Sequence, residues 1–217
     1  MEKNQSALEQ TAEYVRTIMA HDSSGHDWWH VWRVCQTARR ISRIEKADLF
    51  VVELAALLHD LDDWKLSDIS SNMPQKAAEY MRSLFVDREI VAHVCEIIQD
   101  LSFKGKGVET PMRTIEGKVV QDADRLDAIG AIGIARAFSF GGAKGREMYN
   151  PDILPQEHAT FEAYKSSNGT TINHFYEKLL HLRDRFNTNA AREIAEGRHQ
   201  FLEQYLARFL AEWEGKD

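Results

Sequence analysis

The sequence is poor in the residues that interrupt helices. Four prolines and twelve glycines occur among 217 residues. This scarcity leaves room for long helices and argues against a sandwich of many short strands. Apolar residues recur at steps of three and four along most of the chain, which is the period of an amphipathic helix. The sequence therefore predicts an all-α protein of about eight to ten helices.

Cysteine, basic charge and long apolar runs are also scarce. The two cysteines, Cys35 and Cys95, form no CxxC pair, so we expect reduced thiols and a cytoplasmic location. Acidic residues outnumber basic ones by 34 to 27, which disfavours nucleic acid as the main partner. The first residues lack the apolar stretch of a signal peptide. The longest apolar run, residues 51–58, is interrupted by Glu53 and is too short to span a bilayer, so no membrane partner is expected.

Capping residues and loop composition indicate where helices begin and end. Asp48 and Asp87 are predicted N-caps. Thr110 and Pro111 are predicted to open a helix that continues to residue 129, because proline is favoured in the first turn. A last helix is predicted from about residue 188 to residue 213. Glycine-rich composition predicts loops at residues 103–107 and 140–155.

Imidazole and carboxylate side chains occupy inward-facing positions on three predicted helices. His59 and Asp60 follow the apolar run 51–58, where burial is costly unless both are paired or bound to a metal. His30 and Asp124 lie on the apolar stripes of two further helices, and a helical bundle can bring such side chains together. Two imidazoles and two carboxylates suit Mn²⁺, Fe²⁺, Ni²⁺ or Zn²⁺, with Mg²⁺ also open. The alternative is a structural His-Asp pair without a metal.

The order of these residues resembles a known family signature. His30, then His59–Asp60 after Ala-Ala-Leu-Leu, then Asp124 within Ala-Asp-Arg-Leu, follow at spacings of 29 and 64 residues. This pattern resembles the H…HD…D signature of the HD-domain metal-dependent phosphohydrolases. Residues 25–34, 122–136 and 171–180 are similar to the bacterial YedJ/YpgQ-like branch of that superfamily.

The resemblance implies both an architecture and a metal site. It implies a single HD domain over residues 1–217, a helical bundle with a metal-binding core at about 26–136 and C-terminal helices at about 156–214 packed on it. It also implies that one divalent metal ion is held by His30, His59, Asp60 and Asp124. Asp122 lies about 200° from Asp124 around a helix, so we expect Asp124 alone to be the ligand from this pair.

Asp63 is the candidate for activating the attacking water. It follows His59 by four residues and Asp60 by three, and it shares their face if the helix continues. A metal lowers the pKa of a nearby water, and a carboxylate can then accept the proton. Asp62 points elsewhere on this interpretation. The alternative is that Asp62 and Asp63 merely end a helix.

Two further aspartates are predicted to orient the metal ligands without binding the ion themselves. Asp127 follows Asp124 by three residues and could orient a histidine or a water. A pair with Arg125, or exposure to solvent, is the equal alternative for Asp127. Asp27 is the other supporting candidate, and it could instead cap the helix that carries His30.

Binding of a phosphate requires positive charge near the predicted metal. Most candidates lie in or beside the motifs, and each has the ordinary alternative of a solvated surface charge. Two of them lie one helical turn apart and are similar to positions in the YedJ/YpgQ-like branch. We predict substrate contacts from His26, Lys65, Lys104, Lys118, Arg125, Arg136, His174 and Lys178, of which the last two form that pair.

Together these residues predict a divalent-metal-dependent phosphohydrolase that acts on a phosphate ester or phosphoanhydride. A nucleotide is the favoured substrate, and both pyrophosphate release from a nucleoside triphosphate and a homodimeric state are left open. The alternative is a non-catalytic, metal-stabilised helical domain that binds a phosphorylated small ligand. Oxidation at a diiron site is disfavoured, because it needs further inward ligands and His93 is the one spare histidine nearby.

Overall fold

The computed structural model describes residues 2–20, 27–61, 74–101, 111–156 and 169–216. All regular structure within these ranges is helical, so the prediction of an all-α fold is confirmed. None of these helices is both long and apolar enough to cross a membrane. The α-helices are α1 (Glu2–Ile18), α2 (Trp28–Glu45), α3 (Leu49–Leu58), α4 (Gln75–Ser83), α5 (Arg88–Leu101), α6 (Ile115–Asp127), α7 (Gly130–Ala143), α8 (Thr171–His174) and α9 (Asn189–Trp213).

The described residues form two compact units that divide within α6, between Ala123 and Asp124. In the first unit α3 is the central helix, because α1, α2 and α5 all pack against it. Every residue from Val51 to Leu58 is buried, and each buried Val or Leu stabilises the fold by about 1.5–3 kcal/mol. The predicted N-cap Asp48 is confirmed: its carboxylate accepts the backbone N–H groups of Phe50 and Val51.

One buried ion pair joins α2 to α3. Arg39 Nη2 lies 2.6 Å from Glu53 Oε2, and the Glu53 side chain is almost fully buried. This hydrogen bond is the main reason that the pKa of Arg39 is raised. The glutamate that interrupts the apolar run therefore fixes the register of two helices rather than exposing one of them to solvent. Nearby, burial raises the pKa of the Cys35 thiol to about 11.

Helix α6 begins later than the sequence predicts. Pro111 lies before the helix, which starts at Ile115, and the predicted cap Thr110 lies outside the described residues. Thr114 replaces it, because its hydroxyl accepts the Gly117 N–H at 3.2 Å. Proline therefore predicts a start four residues before the observed one, because a second capping residue, Thr114, lies downstream.

Helix α7 extends into residues that were predicted to form a loop. It continues through Gly141 and Gly142 to Ala143. A Cβ atom at Gly141 would lie 2.2 Å from Thr171 Oγ1, so only glycine permits this approach of α7 to α8. The glycine is thus a packing residue inside a helix, and the non-helical stretch starts only after Ala143. The other predicted loop, residues 103–107, lies outside the described residues.

The second unit combines α7 and α9 with an irregular helical segment. Thr188 caps α9 by accepting the Ala191 N–H, close to the predicted start of the last helix. Helix α8 continues directly into a π-helix (Phe175–Leu179) and then a 3₁₀-helix (Leu180–Arg185). Short π-helical turns are rare and occur frequently at functional sites.

Candidate metal centre

Three predicted ligands meet in the first unit. His59 Nε2 lies 3.3 Å from His30 Nε2 and 3.4 Å from Asp60 Oδ1, while His30 Nε2 lies 3.3 Å from Asp60 Oδ2. Among the described residues these are the His, Cys, Asp or Glu side chains that come together closely enough to share an ion. His30 is fully buried and Asp60 is nearly so. We call these three residues the metal cluster.

The end of α3 orients the imidazole of His59. The helix ends at Leu58, and His59 is its C-cap residue. The His59 Nδ1–H donates to the Ala56 carbonyl at 2.9 Å, which satisfies one of the carbonyls left open at a helix end. Because the proton is on Nδ1, the lone pair of a neutral ring is on Nε2. The backbone of α3 therefore selects the tautomer that can bind a metal.

The start of α2 positions His30. Asp27 is the N-cap residue, and its Oδ1 accepts the His30 N–H at 2.9 Å. His30 thus lies in the first turn of the helix, whose later residues Val34, Ala38 and Ile41 are fully buried. Two roles were considered for Asp27, and the structure shows one of them, the capping of α2. The Arg39–Glu53 pair holds the same helix against α3.

The donor set of the metal cluster fits a divalent ion. Nitrogen and oxygen ligands lie about 2.0–2.2 Å from a metal such as zinc, so two ligands of one ion lie roughly 3–3.5 Å apart. The three observed separations are 3.3, 3.3 and 3.4 Å. Two imidazole nitrogens and a carboxylate are also the ligand types that borderline divalent ions accept. The cluster therefore suits a divalent metal ion, and its donor atoms do not select one such ion over the others.

The fourth predicted ligand belongs to the second unit. Asp124 is half-buried on α6, and its contribution to the metal site stays a prediction. Asp122, which helical phase places on another side, is fully buried in the first unit. Lys118, one turn before Asp122 on α6, is half-buried in the first unit, and its role in binding substrate also stays a prediction.

Two predicted substrate-binding arginines make contacts inside the second unit. Arg136 Nη1 donates to Asp127 Oδ2 at 2.7 Å, and both side chains are largely buried. Arg125 donates to the carbonyl of Arg185. Asp127 is therefore paired with Arg136, a partner that the sequence interpretation did not consider. The predicted substrate role of both arginines remains a prediction beside these contacts.

His174 and Lys178 lie at the junction of α8 and the π-helix. His174 is the last residue of α8, and Lys178 lies within the π-helix, where both are half-buried. Burial, Lys178 and Arg146 lower the pKa of His174 to about 3. Arg146 was missed by sequence reasoning, because it follows a glycine-rich stretch and carries no motif. Its link to His174 arises from a contact between distant segments.

Four predicted site residues lie outside the described residues: His26, Asp63, Lys65 and Lys104. Their roles stay predictions. The predicted role of Asp63 depends on a helix that continues from His59, whereas α3 ends at Leu58 and residues 59–61 form a turn. Helical spacing therefore does not support this role, which stays a prediction from the closeness of Asp63 in sequence to the metal cluster.

The spare histidine considered for a second metal is engaged elsewhere in the first unit. His93 Nε2 lies 3.0 Å from Thr114 Oγ1 and 3.8 Å from Glu116 Oε2, and it is not one of the clustered ligands. Next to His30, Trp29 and Trp32 are exposed and contact each other edge to face.

Comparisons with known proteins identify the family of this chain. The model of the HD domain family matches residues 28–129, which include the metal cluster and Asp124. Protein YpgQ of Bacillus subtilis is 43% identical over 217 residues, covering 99% of this chain and 98% of its own length.

Solved structures show the same similarity. A crystal structure of B. subtilis YpgQ in complex with ADP matches with a TM-score of 0.77 at 40% identity, covering 97% of this chain and 96% of that one. An HD-superfamily hydrolase of Bacillus thuringiensis matches with a TM-score of 0.77 at 44% identity, covering 97% and 98%. The chain therefore belongs to the HD domain family, as a YpgQ-like member of the HD-superfamily hydrolases.

Proposed function

We propose that this hydrolase is a divalent-metal-dependent phosphohydrolase that cleaves a phosphate ester or phosphoanhydride of a nucleotide. The observation that carries the proposal is the convergence of His30, His59 and Asp60 within 3.4 Å of one another. A pair without a metal needs only two of these groups, whereas three groups around one point suit an ion. Manganese, iron, nickel, zinc and magnesium are the ions to test, with Asp124 as the proposed fourth ligand.

The protein's own residues would prepare this site before substrate arrives. The Ala56 carbonyl holds the ring of His59 with Nε2 directed toward the other ligands. Asp60 supplies a negative charge that is almost fully buried. When bound, a divalent ion supplies Lewis acidity toward a phosphate oxygen and lowers the pKa of a water. Asp63 is the proposed proton acceptor for that water.

The substrate class rests on a relative and on charge. YpgQ, a full-length relative, was crystallised with ADP, which has a phosphoanhydride bond of the proposed kind. A net charge of −7 repels polyanions in general, so local cations must compensate near a phosphate. Lys118, Arg125 and Arg136 are proposed contributors, as are Lys65, Lys104 and His26. The reaction could release orthophosphate or, from a nucleoside triphosphate, pyrophosphate.

We further propose a cytoplasmic location. Cys35 and Cys95 are both buried and carry free thiols, a state that a reducing compartment maintains. A homodimer is compatible with this proposal, and measuring the mass of the purified protein in solution decides it.

The decisive experiment is a substrate screen with matched variants. Nucleoside mono-, di- and triphosphates and simple phosphomonoesters are incubated with Mn²⁺, Fe²⁺, Ni²⁺, Zn²⁺ or Mg²⁺, and with Co²⁺ in addition, and the products are separated by anion-exchange chromatography. We expect metal-dependent release of phosphate or pyrophosphate by the wild type and by Asp48→Asn, which alters a carboxylate at the far end of α3. Asp60→Asn should be inactive. No turnover with any metal, or full activity of Asp60→Asn, would overturn the proposal.

A further inference from the structure

The outer face of α2 carries a row of aromatic and basic side chains. This row lies on the side of the helix opposite the buried residues Val34, Ala38 and Ile41. Its members follow one another at intervals of three, four, four and three residues, which keeps them on one side of a helix. We call this row the outer stripe, and its members are Trp29, Trp32, Gln36, Arg40 and Arg43.

The first half of the outer stripe is aromatic and open to solvent. Trp29 is 58% exposed, and Trp32 is 44% exposed. Their ring centroids lie 6.3 Å apart in an edge-to-face contact, so each ring limits the motion of the other. Tryptophan is highly buried on average and is enriched in protein–protein interfaces. Two neighbouring exposed tryptophans therefore indicate a contact surface.

The second half of the outer stripe is basic. Arg40 and Arg43 are exposed, and neither forms an ion pair within the part of the chain that the structure describes. Guanidinium groups stack on aromatic faces, and tryptophan is the best partner for them. The two halves are thus complementary, yet Trp29 and Arg43 are separated by about 21 Å along one straight helix. They cannot contact each other within the same chain.

We propose that the outer stripe is an interface through which two copies of this chain pair, with their α2 helices antiparallel. The intervals between its members are the same when counted from either end, so a twofold axis at Gln36 relates the two copies. Trp29 then lies opposite the partner's Arg43, and Trp32 lies opposite the partner's Arg40. Each copy presents the same patch, as a twofold interface requires.

Gln36 suits the centre of this interface. Its amide group contains both donors and an acceptor, so two identical glutamines can bond to each other across the axis. A parallel pairing would instead place Arg40 and Arg43 beside their own copies, where like charges repel. The chemistry of the outer stripe therefore favours the antiparallel direction.

A second copy suits the outer stripe better than a nucleic acid does. Aromatic and arginine side chains also bind single strands, but the net charge of −7 opposes the approach of a polyanion. A single strand also gives no reason for arginines and tryptophans to occupy mirrored positions. One pair of helices buries little surface and both copies are acidic, so we expect a weak dimer with a dissociation constant of about 10 μM.

Sedimentation equilibrium of the full-length, metal-loaded protein, at concentrations below and above that value, tests the proposal. The double variant Arg40→Gln, Arg43→Gln removes both arginine–tryptophan contacts, each of which occurs twice in a dimer. The double variant Arg82→Gln, Arg88→Gln is the matched control, because it removes the same charge from exposed residues of α4 and α5. Circular dichroism checks that each variant is folded. No substrate is needed, so the result does not depend on the proposed function.

The dissociation constant is expected to rise only when the outer stripe is changed. One exposed arginine–tryptophan contact changes a binding constant about twofold to fivefold, so the loss of four should raise the dissociation constant about thirtyfold or more. The control should change it about twofold at most. An unchanged constant in Arg40→Gln, Arg43→Gln, or an equal rise in the control, would overturn the proposal. A wild type that stays monomeric would also overturn it, including one that binds a labelled single-stranded oligonucleotide.

Crosslinking tests the antiparallel arrangement. Gln36→Cys places one thiol of each copy at the twofold axis, where a short bis-maleimide reagent should join two chains. Ile44→Cys is the control, because Ile44 is also exposed on α2 but its two copies would lie about 24 Å apart along the paired helices. The native cysteines are buried and should not compete for the reagent. Crosslinking of Ile44→Cys, or none of Gln36→Cys, would exclude the antiparallel pairing.

Discussion

Replacing Asp60 by asparagine separates a metal site from a structural His-Asp pair. The substitution keeps the size of the side chain and removes its charge. In the protein without metal, Asp60 Oδ1 faces the lone pair of His59 Nε2 at 3.4 Å. An asparagine amide can donate a hydrogen bond there, so we expect the metal-free variant to be at least as stable as the metal-free wild type at pH 8.

The metal-bound proteins should differ in the opposite direction. An ion at a hundred times its Kd stabilises the folded state by about 2.7 kcal/mol. For a chain of 217 residues, 1 kcal/mol changes Tm by about 2–4 °C, so the wild-type Tm should rise by about 5–11 °C. If Asp60→Asn weakens binding a hundredfold, the same concentration equals Kd and stabilises by about 0.4 kcal/mol, or about 1–2 °C.

Differential scanning calorimetry with and without Mn²⁺ after chelation measures both effects, and elemental analysis gives the occupancy. Asp48→Asn is the matched control, because asparagine caps a helix about as well as aspartate, and its metal response should equal that of the wild type. A fall in the metal-free Tm of Asp60→Asn, together with no metal response in the wild type, would show a purely structural pair. Full occupancy in the variant would remove Asp60 from the ligand set.

Three further results are expected. Asp63→Asn should keep metal and fold but lower kcat about 10²–10⁴-fold, with Asp62→Asn as the mild control, and near-wild-type kcat with metal retained would exclude Asp63 from proton transfer. Because burial raises the pKa of Cys35 to about 11, the native thiol should resist disulfide reagents that react after unfolding, so rapid native labelling would contradict its burial. Because the folded pKa of His174 is about 3 and its ordinary value is 6.5, the unfolded chain takes up a proton first as pH falls. The free energy of unfolding of the wild type should therefore decrease below about pH 6.5, and that of His174→Gln should decrease less. Urea titrations at pH 7.5 and pH 5 measure both, and an equal decrease in the two proteins would contradict the low pKa of His174.

Local patterns in the sequence were sufficient for fold class and for several helix ends. The helical period and the scarcity of proline predicted an all-α protein. Asp48 was predicted to cap a helix and the last helix to start at about residue 188, and the structure contains both features. These signals act within a few residues of chain, so neighbouring residues suffice to read them. Predictions failed where two local signals competed, as at Pro111 and Thr114 at the start of α6.

Features that depend on a distant segment could not be predicted from neighbouring residues in the sequence. A pair of glycines predicted a loop, yet Gly141 belongs to a helix because Thr171 approaches it from another part of the chain. Arg146 was not considered, because its relation to His174 exists only after residues 147 and 148 bond to α8. Such contacts join residues that no short window contains.

The sequence alone determined which types of metal ligand this protein has. They are histidine and aspartate side chains at positions predicted to be buried, in the order of the HD signature. Only the tertiary structure decided that three of them share one point. The separations of 3.3–3.4 Å follow from the cap at the start of α2, the carbonyl at the end of α3 and the Arg39–Glu53 pair between these helices. The sequence specifies the residue types, whereas the distances between ligand atoms depend on the packing of helices that are far apart in sequence.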